Sequence, residues 1–192
     1  MMKKTILLCT SLVMLAISGF SQNKKVLIFS KTAGYRHSSI EPAQAFFKKV
    51  SAVEEIDFTF SENAIDFNED NLRNFSAVVF LNTTGDILDD RQQSDFERYI
   101  QAGGGFMGIH AAADTEYGWP WYNKLVGGWF MSHPGGAVSN IQDGEMTVLD
   151  QTHPSTKHLS QKFTRDDEFY DFRSFQKDDV KVLITVDENS YK

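Results

Sequence analysis

Lys25-Val26-Leu27-Ile28-Phe29-Ser30, near the start of the chain, is the stretch that decides the fold. A short run of apolar residues without polar interruption is typical of a strand buried on both faces, as in a parallel sheet. Residues 77–81 (AVVFL) and 106–109 (FMGI) are runs of the same kind, whereas residues 56–60 (IDFTF) alternate between apolar and polar side chains. These four segments are predicted to be the strands of one sheet.

Helical patterns separate the four strands. Three helices are predicted, at residues 39–50, 68–74 and 90–102. Ser39 is a candidate N-cap of the first helix, and Asp89 or Asp90 of the third. Strands that alternate with helices imply right-handed crossovers and a mostly parallel sheet with helices on both faces, so the fold class is α/β.

The second half of the chain is less regular. Its pattern predicts a helix at residues 119–126 and strands at residues 145–149, 168–172 and 180–186. Because no repeat, low-complexity tract or linker interrupts the chain, we place no internal domain boundary.

The N-terminus has the layout of a secretory signal peptide. Lys3 and Lys4 form a basic segment, an uncharged apolar stretch follows at residues 5–17, and small residues surround Ser21. The apolar stretch is short for a membrane span, which disfavours an uncleaved anchor. Cys9 lies inside this stretch rather than at its end, which disfavours a lipoprotein. We therefore predict a signal peptide at residues 1–22, a mature domain at residues 23–192, and a periplasmic or extracellular location.

Charge and cysteine content narrow the possible partners and chemistry. Loss of Lys3 and Lys4 with the signal peptide takes the formal net charge from −7 to −9. An acidic domain without basic blocks argues against nucleic acid or an anionic membrane as partner. The one cysteine, Cys9, leaves with the signal peptide, so the mature domain has no disulfide, thiolate metal site or thiol nucleophile.

The loops at the carboxyl ends of three predicted strands are rich in polar residues. They occupy residues 31–39, 82–86 and 110–115. Open parallel sheets bind their ligands at this edge, beside the point where the strand order reverses. The sequence therefore predicts one pocket that brings together distant side chains, namely His37, Thr83, Thr84, His110 and Asp114.

Several of these stretches resemble the ThuA-like (trehalose utilisation) family. The resemblance runs in order over nearly the whole mature chain, through FSKTAGYRHSSI (29–40), FLNTTGD (80–86), GGGFMGIHAAADT (103–115), SHP (132–134) and DEFYDF (167–172). It implies a flavodoxin-like three-layer α/β/α sandwich related to the class I glutamine amidotransferases. It also implies a small-molecule carbohydrate as ligand, of the trehalose type or a keto-sugar derivative, and a role in sugar catabolism.

The chain departs from that pattern in two places. Family members usually continue beyond a segment like residues 186–191 into further strands, so the stop at Lys192 indicates a C-terminally truncated domain. Class I amidotransferases carry a nucleophilic cysteine on a sharp turn with the pattern G-I-C-x-G, and the matching residues are Gly108-Ile109-His110-Ala111-Ala112. A histidine cannot form the thioester that glutamine hydrolysis needs, which excludes that reaction.

His110 therefore has three open interpretations: a general acid or base, a metal ligand, or a structural residue bonded to Asp114. Asp114 is either the partner that orients the imidazole or a helix N-cap. His37 contacts substrate or metal, or only shapes its loop. His37, His110 and His133 together would make a three-histidine zinc site, although no two of them have the close spacing in sequence that is typical of zinc ligands.

Further candidates flank these histidines. Ser38, Thr83 and Thr84 are predicted to bind substrate. Trp119 either stacks on a sugar ring or fills the core. A strand through residues 168–172 would put Glu168 and Tyr170 on one side of the strand. Glu168 is then a catalytic acid with Tyr170 as a binding residue, or the two side chains belong to a face exposed to solvent.

Three functions fit these residues. The first is an enzyme that acts on a carbohydrate through His110, Asp114 and Glu168, by proton transfer next to a carbonyl group. The second is a metal-dependent hydrolase, with a divalent ion such as zinc on His37, His110 and His133. The third is a sugar-binding module without catalysis.

Overall fold

A computed structural model describes residues 24–192 and contains four α-helices and nine strands in this range. The predicted signal peptide lies outside the described residues. The helices are α1 (Ile40–Glu54), α2 (Glu69–Leu72), α3 (Asp90–Gln101) and α4 (Pro120–Val126). The strands are β1 (Lys24–Phe29), β2 (Ile56–Ser61), β3 (Ala77–Leu81), β4 (Gly105–Ile109), β5 (Trp129–Ser132), β6 (Gln142–Val148), β7 (Lys162–Asp167), β8 (Asp171–Arg173) and β9 (Ile184–Val186). None of the helices in this range is long and apolar enough to cross a membrane.

The first four strands form one parallel sheet in the order β2-β1-β3-β4. Phe29 pairs with Phe80, and Leu81 pairs with Ile109, so β1, β3 and β4 end at a common edge. The strand order reverses between β1 and β3. The predicted α/β fold with a parallel sheet is therefore confirmed, and the reversal marks where a ligand site is expected.

Both faces of the sheet are packed at β1 and β3, as their continuous apolar runs predicted, whereas the edge strand β4 leaves Met107 52% exposed. Phe29 and Phe80 point to the face covered by α2, α3 and α4, where a large aromatic core is buried. Ile28 and Val79 point to the opposite face, which α1 covers with a smaller apolar cluster. β2 alternates between more and less exposed residues, in agreement with its alternating sequence.

The helix caps agree only in part with the sequence. The Asp89 side chain accepts a hydrogen bond from the Gln92 backbone, and the Gln92 side chain accepts one from the Asp89 backbone, which completes a capping box on α3. Ser39 stands at the N-cap of α1 but makes no capping bond with its side chain. Its hydroxyl instead accepts a hydrogen bond from Asn82 Nδ2 at 2.8 Å, which ties the start of α1 to the end of β3.

The second half of the chain forms two small antiparallel sheets. β5 pairs with β8, and β6 lies between β7 and β9. The strand predicted at residues 168–172 is wrong, because β7 ends at Asp167 and β8 begins only at Asp171. The intervening residues leave both sheets, which lets Glu168 and Tyr170 reach the edge of the parallel sheet.

Candidate functional site

A cavity of about 1120 Å³ opens at the carboxyl ends of β1, β3 and β4. Its walls combine residues from the loops that follow these strands with residues from the irregular second half. The polar side chains that matter for its chemistry are His37, Asn82, His110, Asp114, His133, Asn140, Glu168 and Tyr170. The cavity therefore lies at the strand reversal, the edge at which open parallel sheets bind their ligands.

Two strands end in a residue with left-handed backbone at the base of this cavity. Asn82 follows β3 with φ 51°, and His110 follows β4 with φ 48°. Such values are uncommon outside glycine, although asparagine and histidine adopt them more often than most other residues do. A short 3-10 helix, His110–Asp114, begins at once after β4, so His110 occupies a sharp turn from strand to helix. This agrees with the geometry predicted for the position of the amidotransferase nucleophile.

Three histidines surround the carboxylate of Glu168. His110 Nε2 lies 2.9 Å from Oε2, and His37 Nε2 lies 3.7 Å from the same oxygen. His133 Nε2 lies 3.6 Å from the other oxygen, Oε1. We call these four residues the histidine–glutamate cluster. Since the residues come from four separate loops, only the tertiary fold brings them together.

Neighbouring groups hold this cluster in place. Asn140 Nδ2 donates a hydrogen bond to Glu168 Oε1 at 2.6 Å. The Tyr170 ring packs against the His110 ring with centroids 4.2 Å apart, and the edge of Tyr35 meets His37 at 4.9 Å. The carboxylate and two of the imidazoles therefore have little freedom to rotate.

The surroundings shift two pKa values in the cluster. Burial lowers the pKa of His37, and the neighbouring His110 lowers it further, against the opposing charge of Glu168. Burial alone would raise the pKa of Glu168, but hydrogen bonds from Asn140 and His110 and the nearby histidine charges outweigh it and lower the pKa. Near neutral pH the cluster thus combines a neutral His37 with an ionised Glu168.

Asp114 lines the cavity but does not hold His110 as the sequence suggested. Its carboxylate accepts a hydrogen bond from the Tyr117 hydroxyl, while the His110 imidazole bonds to Glu168. Asp114 is also not an N-cap, because it ends the 3-10 helix that His110 begins. Glu168, rather than Asp114, is therefore the carboxylate that orients the His110 imidazole.

Several predicted substrate-binding residues lie elsewhere. Ser38 lines the cavity, but Thr83 and Thr84 are fully buried beside it. The Thr83 hydroxyl is 2.9 Å from that of Thr115, and the Thr84 hydroxyl donates to the Tyr35 carbonyl at 2.9 Å. These threonines fasten the site loops to each other rather than facing the cavity.

Trp119 belongs to the hydrophobic core. It is 7% exposed, and its indole N–H donates to Glu97 at 2.9 Å, on the side of the sheet covered by α3. Of the two interpretations from the sequence, the structure therefore places this residue in the core and away from the cavity.

Sequence reasoning missed two polar residues of the site. Asn82 could have been found, because it directly follows a buried strand and asparagine favours a left-handed backbone. Asn140 lies in an irregular stretch without any pattern, and only its contact with Glu168 distinguishes it.

Comparison with known proteins finds a matching family model and similar solved structures. The family model for ThuA, described as trehalose utilisation, matches residues 25–192. A crystal structure of a ThuA-like protein from Bacteroides uniformis is similar, with a TM-score of 0.73, 25% identity, and coverage of 90% of this chain and 71% of that one. Another, from Parabacteroides merdae, has the same fold, with a TM-score of 0.68, 21% identity, and coverage of 87% and 70%. No curated protein matches. The match over nearly all of residues 24–192 shows that the chain belongs to the ThuA family.

Proposed function

We propose that this ThuA-family protein is a carbohydrate-active enzyme whose reaction takes place at the histidine–glutamate cluster. One observation carries the proposal: three imidazole nitrogens lie within 3.7 Å of the Glu168 carboxylate, at the ligand-binding edge of a parallel sheet. Such convergence of titratable groups in a cavity is typical of catalytic sites.

The walls of the cavity suit a sugar. Tyr35, which is 69% exposed at the cavity wall, offers an aromatic face against which the apolar face of a sugar ring packs. Ser38 and the acidic residues near Glu168 offer hydrogen-bond partners for hydroxyl groups. The family description, trehalose utilisation, supports a carbohydrate of the trehalose type as the substrate. A keto derivative of such a sugar would carry the carbonyl group that the reaction class below requires.

The reaction class follows from the groups that are present. Position 110 holds a histidine instead of a cysteine, so a covalent thioester cannot form there. The imidazole of this histidine is hydrogen-bonded to the Glu168 carboxylate. Proton transfer next to a sugar carbonyl, as in isomerisation or elimination, needs a polarised oxygen and a proton acceptor. The imidazoles can polarise the oxygen, and the carboxylates of Glu168 and Asp114 can accept the proton.

The test compares binding and turnover in matched variants. Trehalose-type disaccharides and their keto derivatives are offered to the wild type, to His110→Ala, and to His158→Ala, which changes an exposed histidine outside the cluster. We expect His110→Ala to lose at least about 100-fold in turnover while it still binds sugar, and His158→Ala to behave as wild type. Unchanged turnover in His110→Ala would sink the proposal. Sugar binding by the wild type without any product would favour a non-catalytic module.

We also propose that the protein is exported. The basic residues, apolar stretch and small residues at positions 1–22 support this. N-terminal sequencing of the protein from the periplasmic or extracellular fraction should begin near residue 23. Recovery of the chain in the cytoplasm with Met1 intact would contradict it.

A further inference from the structure

We propose that His37, His110 and Glu168 bind a divalent first-row transition-metal ion such as Zn²⁺. This inference rests on the proposed function and deepens it. The ion would take over the polarisation of the substrate oxygen from the imidazoles that hold it, and Asp114, which also lines the cavity, would remain as the proton acceptor. The ligand set differs from the three histidines predicted from the sequence, since Glu168 takes the place given there to His133.

The spacing of the donor atoms fits a metal ion. One ligand atom from each of the three residues lies within 4.8 Å of both others, and the two nitrogens lie 2.9 and 3.7 Å from Glu168 Oε2. Ligands at the usual zinc distances in a tetrahedral site are roughly 3.3 Å apart. The observed separations bracket this value, so an ion needs only small side-chain movements to sit among them.

The types of donor select the class of metal. Two imidazoles and one carboxylate are ligands for zinc and other first-row ions, whereas Ca²⁺ and Mg²⁺ prefer sites made of oxygen alone. Catalytic sites with three protein ligands leave a coordination position open for water or substrate. In this protein the open position would face the cavity.

His133 is placed as a further donor. Its Nδ1 lies 2.6 Å from the Pro134 carbonyl, which can only accept, so Nδ1 carries a proton. In the neutral imidazole Nε2 then bears the lone pair, and this atom faces Glu168 Oε1 at 3.6 Å. His133 thus directs this nitrogen at the carboxylate of the proposed site, through the oxygen that His37 and His110 do not contact.

The surrounding contacts resemble those that support metal ligands. Asn140 occupies Glu168 Oε1, which leaves Oε2 directed at His37 and His110. Tyr170 stacks on His110 and limits the rotation of its ring. Such outer contacts orient the ligands and commonly change metal affinity about 10- to 100-fold when they are removed.

The experiment measures Zn²⁺ binding directly, without substrate. The purified chain is treated with a chelator and titrated with Zn²⁺ by calorimetry, with Mg²⁺ as the comparison ion. We expect one Zn²⁺ per chain, affinity reduced more than about 100-fold in His37→Ala and Glu168→Gln, and a loss of about 10- to 100-fold in Asn140→Ala. His158→Ala should bind as wild type, and circular dichroism identifies any variant that fails to fold.

Two outcomes overturn the metal site. One is the absence of Zn²⁺ binding by the folded wild type, and the other is equal affinity in folded His37→Ala and His158→Ala. Binding and turnover are measured separately, so the two proposals can fail independently. Turnover that depends on His110 in a protein that binds no Zn²⁺ would keep the proposed function and remove the metal. Zn²⁺ binding without turnover on any sugar would keep the metal site and remove the proposed function.

Discussion

At the scale of the residue, His110 combines an unfavourable backbone with a precise side-chain contact. Its φ of 48° lies in the left-handed region, which costs residues other than glycine about 1–2 kcal/mol. The same turn directs Nε2 at Glu168 Oε2. Strained residues of this kind concentrate at functional sites, because only a well-packed scaffold can hold them.

We predict that His110→Gly is more stable than His110→Ala by about 1 kcal/mol, because glycine relieves the left-handed strain while alanine keeps it. The two variants lose the same imidazole and differ only in one Cβ atom, so each is the control of the other. Urea unfolding measures the difference. An alanine variant that is as stable as the glycine variant, or more stable, would contradict the strain at this position.

Glu116 is a second unusual residue, outside the cluster. It is 1% exposed, and its carboxylate accepts hydrogen bonds from the backbone N–H groups of Ile87 and Leu88 and from Gln93. Burial nevertheless raises its pKa above the ordinary value of 4.5. The protonated form is therefore favoured in the folded protein more than in the unfolded chain.

The sign of this shift gives a pH prediction. A raised carboxyl pKa contributes stability that is fully present below the unfolded pKa and is lost as the pH rises through the folded pKa. We expect the free energy of unfolding of wild type, relative to Glu116→Gln, to fall from about pH 4.5 upward and then level off. Urea unfolding at several pH values measures it, and a relative stability that rises over this range would contradict the shift.

The individual site residues were predictable to different degrees. His37 and His110 follow buried strands, and that position, together with the family resemblance, marked them as candidate site residues. Glu168 drew attention as an acidic residue among aromatic ones, but its partners are 58 and 131 positions away and could not be read from local pattern. Asn140 has no local signal at all, because its role exists only through its contact with Glu168.

At the scale of the element, α3 shows how local sequence sets a boundary. The reciprocal bonds between Asp89 and Gln92 satisfy two backbone N–H groups that the helix itself leaves without a partner. We predict that Asp89→Ala lowers the free energy of unfolding by about 1 kcal/mol. Asp90→Ala, one residue along and without a capping bond from its side chain, should cost only a few tenths. Equal losses in chemical denaturation would show that the capping box contributes nothing of its own.

The elements of the parallel sheet were predicted well because their signals are local. Buried strands appear as continuous apolar runs, and α3 has a cap and an apolar stripe, so β1, β3 and α3 agree with the structure within about one residue. The strand expected at residues 168–172 failed for the opposite reason. Its alternation resembles a strand, yet contacts with His110 and Asn140 pull Glu168 out of the sheets.

At the scale of the whole molecule, the two faces of the parallel sheet are packed unequally. Phe80 lies at the centre of the larger core and contacts the rings of Phe29, Phe67, Phe96, Phe106 and Tyr122. On the other face, Phe46 of α1 is 61% exposed at the rim of the cavity. Most of the apolar burial in residues 24–192 therefore lies on the face away from α1.

We predict that Phe80→Ala lowers the free energy of unfolding by about 3–5 kcal/mol, whereas Phe46→Ala changes it by less than about 1 kcal/mol. The two substitutions remove the same atoms from opposite faces, so the comparison isolates burial. Phe80→Leu, which keeps more volume, provides a milder variant if the alanine variant does not fold. Comparable losses for Phe46 and Phe80 in thermal or chemical unfolding would contradict the unequal packing.

The left-handed turn at the end of β4 also has an evolutionary consequence. Position 110 lies just beyond the residues of β4 that pair with β3, so the side chain at this turn can differ without the loss of a pairing contact in the sheet. Related proteins that share this sheet could thus differ in reaction type through the one residue at this turn while they keep the same fold. His110→Cys would be the direct laboratory counterpart, since it restores a thiol at a turn already shaped to present one.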